Sequence, residues 1–503
     1  MKGKWVRLCC MLWILFGSLH TWAAAHLHYQ VGFDTAGHYI HVKLEVSNLS
    51  GTETLFKMPV WAPGYYLILD YPKHVTDFSA TDPTGQPLAW QKEGKNGWRV
   101  QHNAQQTMTL SYRVFADNQS VAEAKVTPER AFVPGNGIYL YVESEKDSPV
   151  TVQFLPPADW KQIVTGLEPV AGQPHTFQAH DFDTLYDCPV LLGNPEVVSF
   201  EVEGRSYQLA METPDGYQET SFVQDLQTMI RTTTRLMGGQ VPYQHYSFLL
   251  MGAGGGGLEH LNSQACFTNG SFRFQDHQGY MQFLSFITHE YFHLYNVKTI
   301  RPIELGPFNY DGEVFTPGLW FSEGITCYYE NRILYEAGLL EPQAFLDEFA
   351  NCIRTVESRE GHRHMSLRTS SYDIWLHFFN RNANSRDVTI SYYDKGPILG
   401  LLMDIEIRRL TQGKKNLDDL MRYLYQHYYQ AAHRGFTEEE FWEACSLVAG
   451  SPLDEIRRYV DTTAEIDYPK YLGYAGLEMD TDYRIHFQQN QDKAPVQLFK
   501  QTD

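Results

Sequence analysis

The pentapeptide His-Glu-Tyr-Phe-His, from His289 to His293, constrains the folding of this chain more than any other feature. Side chains four residues apart lie on the same face of an α-helix, so a helix here brings both imidazoles together, with Glu290 on the flank. The preceding run Met281–Thr288 is apolar, and the pattern continues until Pro302 stops it. The pattern predicts a largely buried helix that ends before Pro302.

Two imidazoles and a carboxylate are costly to bury without a metal ion or other partners. The two His can bind one Zn²⁺ ion, and Glu290 can then hold a water near it and act as the general base. The same spacing also occurs on ordinary amphipathic helices, as a pair of core histidines. The burial of this helix favours the metal site, so the sequence predicts a zinc hydrolase.

A tetrahedral catalytic zinc site needs a third protein ligand. Glu323 follows His293 by thirty residues, in the segment Leu319–Glu330, which has the character of a second helix. Its Trp-x-x-Glu-Gly pattern resembles the third-ligand segment of the gluzincin metallopeptidases, in which a Glu on the next helix binds the metal. The resemblance implies that Glu323 is the third ligand, with Glu330 and Glu313 as alternatives.

A glycine-rich segment precedes Glu259, about thirty residues before the first His of the pentapeptide. It resembles the aminopeptidase element in which glycines let the substrate backbone approach closely, while an acid binds the free α-ammonium group. The resemblance implies that Gly256, Gly257 and Glu259 bind substrate. His260 is expected to line the same pocket.

The segment Tyr393–Gly396 lies about a hundred residues after the pentapeptide. It resembles the part of the M1 aminopeptidases that supplies a phenol to the oxyanion of the tetrahedral intermediate. Such a donor stabilises the transition state more than the ground state. Tyr393 is the expected donor and Tyr392 the alternative, although both could be packing aromatics in a chain with 32 Tyr.

The extended stretch from His289 to Pro302, the Gly-Gly-Leu-Glu-His loop and the Trp320–Gly324 segment together resemble the M61 glycyl aminopeptidase family. The likeness extends into the N-terminal half through Met58–Tyr66, Pro134–Gly137 and Asp181–Pro189. It covers the chain from about residue 27 to 475. The resemblance implies release of an N-terminal Gly or Ala from peptides with a free N-terminus.

The predicted fold is α+β and multidomain. Alternating apolar residues, as in Met108–Val114, predict an antiparallel β-sandwich over residues 26–200. After about residue 215 the apolar spacing becomes helical, and the resemblance implies a thermolysin-like, mainly helical zinc peptidase domain over residues 201–465. Family members commonly carry a C-terminal PDZ domain, for which the tail 466–503 is too short, so we expect that domain to be truncated or absent.

Residues 1–25 have the pattern of a secretory signal peptide. Lys2, Lys4 and Arg7 form the basic region, Leu8–Phe16 the apolar region and Ala23–Ala25 the cleavage site. We therefore expect a periplasmic or secreted protein without stable membrane insertion after cleavage near Ala25. Cleavage leaves five cysteines, an odd number that argues against a disulfide framework, and the net charge of −20 argues against a nucleic-acid partner.

These observations predict a secreted aminopeptidase with one Zn²⁺ per chain. One alternative is a zinc endopeptidase with the same centre, in which Glu259 is only structural. Another is a catalytically weak peptide-binding protein on a peptidase fold, which the intact Glu290 argues against. The sequence leaves the oligomeric state open.

Overall fold

A computed structural model describes residues 25–212, 218–252, 254–268, 276–488 and 498. Residues 1–24 of the predicted signal peptide, and residues 489–497 and 499–503 of the predicted tail, lie outside this range. Within it, no helix combines the length and the apolar character needed to cross a bilayer.

The N-terminal part of the chain consists mainly of strands around one hydrophobic core. The strands are β1 (His26–Asp34), β2 (Tyr39–Ser47), β3 (Glu53–Lys57), β4 (Val75–Thr81), β5 (Trp90–Glu93), β6 (Gly97–Gln101), β7 (Met108–Phe115), β8 (Asp117–Ser120), β9 (Glu123–Val126), β10 (Arg130–Val133), β11 (Val150–Leu155), β12 (Gln162–Thr165), β13 (Glu168–Pro169), β14 (Thr176–Ala179) and β15 (Val190–Gly193). They form sheets in the orders β13-β14-β11-β1-β2-β7-β4, β12-β15-β10-β9-β8 and β3-β6-β5. The described pairs are antiparallel except for the parallel pair of β1 and β11. The predicted β character of this part is confirmed, whereas the parallel pair of β1 and β11 departs from the predicted antiparallel arrangement.

A further sheet begins the second part of the chain, with the order β16-β17-β18-β20-β19. Its strands are β16 (Glu196–Val202), β17 (Arg205–Met211), β18 (His245–Met251), β19 (Gly257–Glu259) and β20 (Ser263–Phe267). The apolar spacing predicted mainly helices beyond residue 215 and did not identify β18, β19 and β20. These strands are buried almost throughout, so they lack the alternation that identifies a half-exposed strand.

Helices make up most of the remaining chain, which confirms the predicted α+β class. They are α1 (Phe182–Tyr186), α2 (Glu219–Leu236), α3 (His277–Phe292), α4 (Thr326–Glu336), α5 (Pro342–Glu357), α6 (Leu367–Tyr372), α7 (Ile374–His377), α8 (Ser385–Val388), α9 (Tyr392–Leu410), α10 (Leu417–Leu424), α11 (Glu438–Ala449), α12 (Asp454–Asp461) and α13 (Tyr468–Tyr474). Shorter elements are the 3₁₀ turns Tyr71–His74, Glu143–Glu145, Ile303–Leu305 and Glu360–Arg363, the π-helical turns Trp320–Ile325 and Tyr425–Ala431, and the hairpin of β21 (Leu477–Met479) and β22 (Ile485–Phe487).

The helix that carries the pentapeptide, α3, ends at Phe292 and not just before Pro302 as the sequence predicted. Asn296 explains the early end. Its side chain donates to the carbonyl oxygens of Phe321 at 2.8 Å and Ser322 at 3.2 Å, while its own carbonyl oxygen lies 2.6 Å from Nδ1 of His293. These contacts require the backbone after His293 to turn towards the Trp320–Ile325 segment.

A loop from the β part reaches into the helical part. Trp61 and Tyr66 belong to the hydrophobic core formed by the helices, and the Trp61 indole N–H donates to the carbonyl oxygen of Asn309 at 2.8 Å. The backbone N–H of Val60 donates to the carbonyl oxygen of Tyr310 at 2.9 Å. This loop therefore packs residues of the β part against the Asn309–Tyr310 segment and the core of the helical part.

Candidate active site

His289, His293 and Glu323 converge on one point. Nε2 of His293 lies 3.0 Å from Nε2 of His289 and 3.3 Å from Oε2 of Glu323, and Nε2 of His289 lies 3.6 Å from the same oxygen. Ligands about 2.05 Å from a tetrahedral zinc ion are separated by about 3.3 Å, so the three atoms have the spacing of such a ligand set. The residues fit a divalent metal ion with two imidazole ligands and one carboxylate ligand.

The second nitrogen of each His has an acceptor. Nδ1 of His289 lies 2.7 Å from Oε2 of Glu330, and Nδ1 of His293 lies 2.6 Å from the carbonyl oxygen of Asn296. Each imidazole therefore carries its proton on Nδ1 and presents the Nε2 lone pair to the metal position. The orientation of both ligands is built into the protein.

The three candidates for the third ligand lie at different positions relative to the two imidazoles. Glu323 lies within the π-helical turn before α4 and faces both Nε2 atoms, whereas Glu330, two turns further on, reaches only the far side of His289. Glu313 belongs to none of the potential metal-binding groups found among the described residues. Burial alone would raise the pKa of Glu323, but the His293 and His289 imidazoles outweigh it and lower that pKa, so this residue is a carboxylate.

Glu290 lies against the edge strand of the sheet. A Cβ atom at Gly257 would be 2.2 Å from Oε1 of Glu290, so a larger residue at that position would displace this carboxyl group. Burial, with smaller contributions from Glu259 and Glu323, raises the pKa of Glu290 to about 7 against the opposing effect of the His imidazoles. The raised pKa makes Glu290 a stronger base than a solvated carboxylate.

Glu259, at the end of β19, is a buried carboxylate in the same cavity, with 4 % of its surface exposed. One of its oxygens lies within 4.8 Å of ligand atoms of both Glu290 and His293. Among the described residues, no side chain or backbone N–H donates to it, and no Lys or Arg forms an ion pair with it. Gly256, which precedes β19, lines the same cavity in a left-handed conformation (φ +88°).

Two tyrosines near the first turn of α9 have different surroundings. Tyr393 lines the cavity and its ring centre lies 6.3 Å from that of His289, whereas the Tyr392 hydroxyl is enclosed and has no partner among the described residues. The two glycines Gly324 and Gly396 bring α9 against the π-helical turn, because a Cβ on Gly324 would be 2.5 Å from the Cα of Gly396. The structure thus favours Tyr393 over Tyr392 as the group that faces the metal position.

His260 lies apart from this cavity, although the sequence analysis placed it there. Its Nδ1 is 3.0 Å from Oδ1 of Asp187, which is also 2.6 Å from the Lys298 ammonium nitrogen, and it lines a second cavity between the β part and the helical part. Successive residues of an extended chain point in opposite directions, so Glu259 and His260 face different cavities. Burial alone would raise the pKa of Asp187, but Lys298 and His260 lower it to about 2.

The catalytic cavity has a volume of about 850 Å³. It is lined on one side by the β-part residues Gly64, Tyr65, Tyr66 and Val121, and on the others by residues of α3, α4 and α5, the segment around Phe378 and Phe379, and Tyr393. Tyr66 lies in the Met58–Tyr66 segment, whose family resemblance did not indicate a role for this residue. Glu330 was expected only as a possible ligand, because sequence spacing does not reveal which nitrogen of His289 a carboxylate will reach.

Comparisons with known proteins identify the family of this chain. The peptidase M61 N-terminal domain model matches residues 28–194, and the M61 glycyl aminopeptidase model matches residues 282–399. No curated protein matches the sequence.

Among solved structures, an aminopeptidase N family protein from Idiomarina loihiensis superposes with a TM-score of 0.84 and 27% identity over 90% of this chain and 79% of that one. An M1 zinc metallopeptidase from Deinococcus radiodurans has a TM-score of 0.54 and 14% identity over 89% of this chain and 95% of that one. Yeast LTA4 hydrolase has a TM-score of 0.52 and 14% identity over 89% of this chain and 69% of that one. The last two show similarity of fold alone.

Proposed function

The chain belongs to the M61 peptidase family and is a metallopeptidase, and on that basis we propose that it is a zinc-dependent aminopeptidase releasing small residues, Gly or Ala, from peptide N-termini. Its substrates are peptides with a free N-terminus. The environment of Glu259 supports removal of the first residue over cleavage within a peptide.

The unpaired carboxylate of Glu259 carries the proposal. A buried charge without a partner costs free energy, and a substrate α-ammonium group would offset that cost by pairing with it. Glu259 lies close to Glu290 and His293. If the substrate ammonium group binds to Glu259, only one residue fits between that group and a scissile bond at the metal position. An anchor at this distance favours cleavage after the first residue over cleavage within a chain.

The catalytic roles follow from the positions of the side chains. Zn²⁺ held by His289, His293 and Glu323 would supply Lewis-acid activation of a water and of the scissile carbonyl group. Glu290 accepts the proton of the attacking water and passes it to the leaving amine. Tyr393, which also lines the cavity, donates a hydrogen bond from its phenol to the oxygen that becomes negative in the tetrahedral intermediate.

Aromatic walls support a preference for small first residues. Tyr65 and Phe379 are in ring contact at 4.9 Å, and Tyr393 contacts Phe378 at 5.9 Å. All four rings line the catalytic cavity, where they restrict the space available to a side chain on the first residue.

The test compares glycyl and alanyl p-nitroanilides with their N-acetylated forms, using the purified zinc-loaded protein with and without a chelator. We expect turnover of the free amines only, with loss of activity in chelator. Because Glu259→Gln removes a buried charge that binds another charge, it should lower kcat/KM for the free amines roughly 100-fold.

Equal turnover of the acetylated substrates would instead support an endopeptidase, in which Glu259 is structural. Absence of turnover in zinc-loaded protein would support a peptide-binding protein on a peptidase fold. Leucyl and phenylalanyl anilides test the size preference, since faster turnover of these substrates would contradict it.

A further inference from the structure

Tyr66 belongs to the β part of the chain but lies in the catalytic cavity. Only 5 % of its surface is exposed, and among the described residues its hydroxyl has no hydrogen-bond partner. The Tyr392 hydroxyl is enclosed by protein atoms, whereas the Tyr66 hydroxyl remains accessible from the cavity that Tyr66 lines. A buried polar group without a partner inside a binding cavity indicates a contact made by a ligand.

Packing holds the Tyr66 ring in one position. Its ring centre lies 6.5 Å from that of Trp61 in a stacked arrangement and 5.7 Å from that of Trp375 in an edge-to-face arrangement. Trp61 and Trp375 are themselves in ring contact at 5.3 Å. The phenol is therefore preorganised, and little side-chain entropy would be lost when it binds a ligand.

The loop that carries Tyr66 passes directly beside Glu259. Gly64 has a left-handed conformation (φ +87°), and a Cβ atom there would lie 2.6 Å from Oε1 and 2.9 Å from Oε2 of Glu259. The backbone two residues before Tyr66 thus touches the carboxylate that we assign to the substrate amino group. Burial, followed by the charges of Glu323 and Glu259 together with Tyr392, raises the pKa of Tyr66 well above its usual range, so the phenol is neutral.

We propose that Tyr66 is a substrate-binding residue, whose phenol oxygen accepts a hydrogen bond from the α-ammonium group held by Glu259. The inference rests on the proposed aminopeptidase function. An ammonium group has three N–H donors, and one carboxylate on one side of it leaves donors free for a second acceptor. The amino-group site is then shared between the two parts of the chain, with Tyr66 from the β part and Glu259 from the sheet beside α3.

The experiment measures inhibition by two hydroxamates that differ only in the amino group. Glycine hydroxamate has an α-ammonium group, whereas acetohydroxamate has a hydrogen atom in its place and the same metal-binding group. For the full zinc-loaded chain, Tyr66→Phe should weaken inhibition by glycine hydroxamate roughly ten-fold, as expected for one hydrogen bond to a charged group. Inhibition by acetohydroxamate should change by less than about two-fold, since it lacks that hydrogen bond.

Tyr139→Phe is the matched control. It removes a hydroxyl that is fully buried and has no partner among the described residues, in the β core and outside both cavities described above. It should leave inhibition by both compounds unchanged. If Tyr66→Phe weakens both hydroxamates equally, the residue acts through the structure of the site, and the proposal is overturned. The proposal is also overturned if Tyr66→Phe leaves the ratio of the two inhibition constants, for glycine hydroxamate and acetohydroxamate, unchanged.

Glu259→Gln separates failure of this inference from failure of the proposed function. If Glu259→Gln lowers the preference for glycine hydroxamate and Tyr66→Phe does not, Glu259 binds the amino group without Tyr66. If neither variant changes the preference, no amino group binds at this end of the cavity, and the aminopeptidase proposal fails with the inference. As a kinetic check, Tyr66→Phe should raise KM for glycyl p-nitroanilide, with kcat within about three-fold of wild type, because the contact exists before and during the reaction.

Discussion

Replacing Glu330 by Gln tests whether this residue orients His289 or binds the metal itself. Oε2 of Glu330 lies 2.7 Å from Nδ1 of His289, and the two side chains are only 20% and 11% exposed, respectively. Gln keeps an acceptor oxygen but removes the negative charge that strengthens the hydrogen bond and makes the imidazole a better ligand. His289 is still present in the variant, so the metal site should be weakened and not abolished.

The expected magnitude follows from the kind of hydrogen bond. A bond to a charged group contributes about 1.5–3 kcal/mol, and loss of such a partner behind a metal ligand costs about 10- to 100-fold in metal affinity. The two values agree, because 10- to 100-fold corresponds to about 1.4–2.7 kcal/mol. We expect zinc affinity to fall within this range, with kcat at saturating zinc reduced less than ten-fold.

The assay is competition for zinc between the apo-protein and a chromophoric chelator of known affinity. Glu313→Gln is the control, since it makes the same chemical change at a carboxylate outside the metal-binding groups of the described residues. Zinc affinity equal to that of wild type would refute an orienting role for Glu330. A loss as complete as that of Glu323→Ala would show instead that Glu330 is a ligand.

Three further predictions concern other parts of the structure. Glu290→Gln should lower kcat by at least about 100-fold without loss of zinc, as chelator competition would show, whereas zinc loss would make Glu290 a ligand. Gly257→Ala should lower kcat strongly because its Cβ would lie 2.2 Å from Oε1 of Glu290, the general base, and would displace it. Gly255→Ala should retain most activity, because its Cβ has no atom of the described residues within 4 Å, and equal effects of the two variants would contradict this steric argument. The folded-state pKa of Asp187, about 2, lies below its ordinary value of 3.8, so ionisation of Asp187 contributes stability above about pH 4 that is lost as the pH falls towards 2. This contribution is about 2 kcal/mol. Asp187→Asn should therefore flatten the dependence of the unfolding free energy on pH over this range, and an unchanged slope would contradict the assignment.

The convergence of the two candidate His ligands could be predicted because their arrangement is largely local. A helix places His289 and His293 on one face through its own periodicity, and a buried helix makes a metal the natural partner for both. The third ligand depended on the resemblance of the Glu323 segment to known metallopeptidases. Spacing alone left Glu330 and Glu313 open, because a separation of tens of residues in sequence does not determine a position in space.

The secondary structure shows where local patterns fail. The alternation in Met108–Val114 predicted a strand that the structure contains, because one face of β7 is buried and the other is partly exposed. The strands β18 and β20 are buried on both faces, so their sequences carry no alternation. The early end of α3 could not be predicted from the local pattern either, since Asn296 contacts residues about 25 positions away.

The sequence by itself predicted the α+β class, the candidate metal-binding pentapeptide, and Glu259 as a candidate residue for binding the substrate amino group. The tertiary structure alone decided that Glu330 lies behind His289, that His260 faces a second cavity, and that Tyr66 enters the active site from the β part. The physical reason is the distance along the chain over which each arrangement is set. Helical and strand periodicity act over a few residues, whereas Tyr66 and Glu259 line the same cavity because tertiary packing brings distant segments of the chain together.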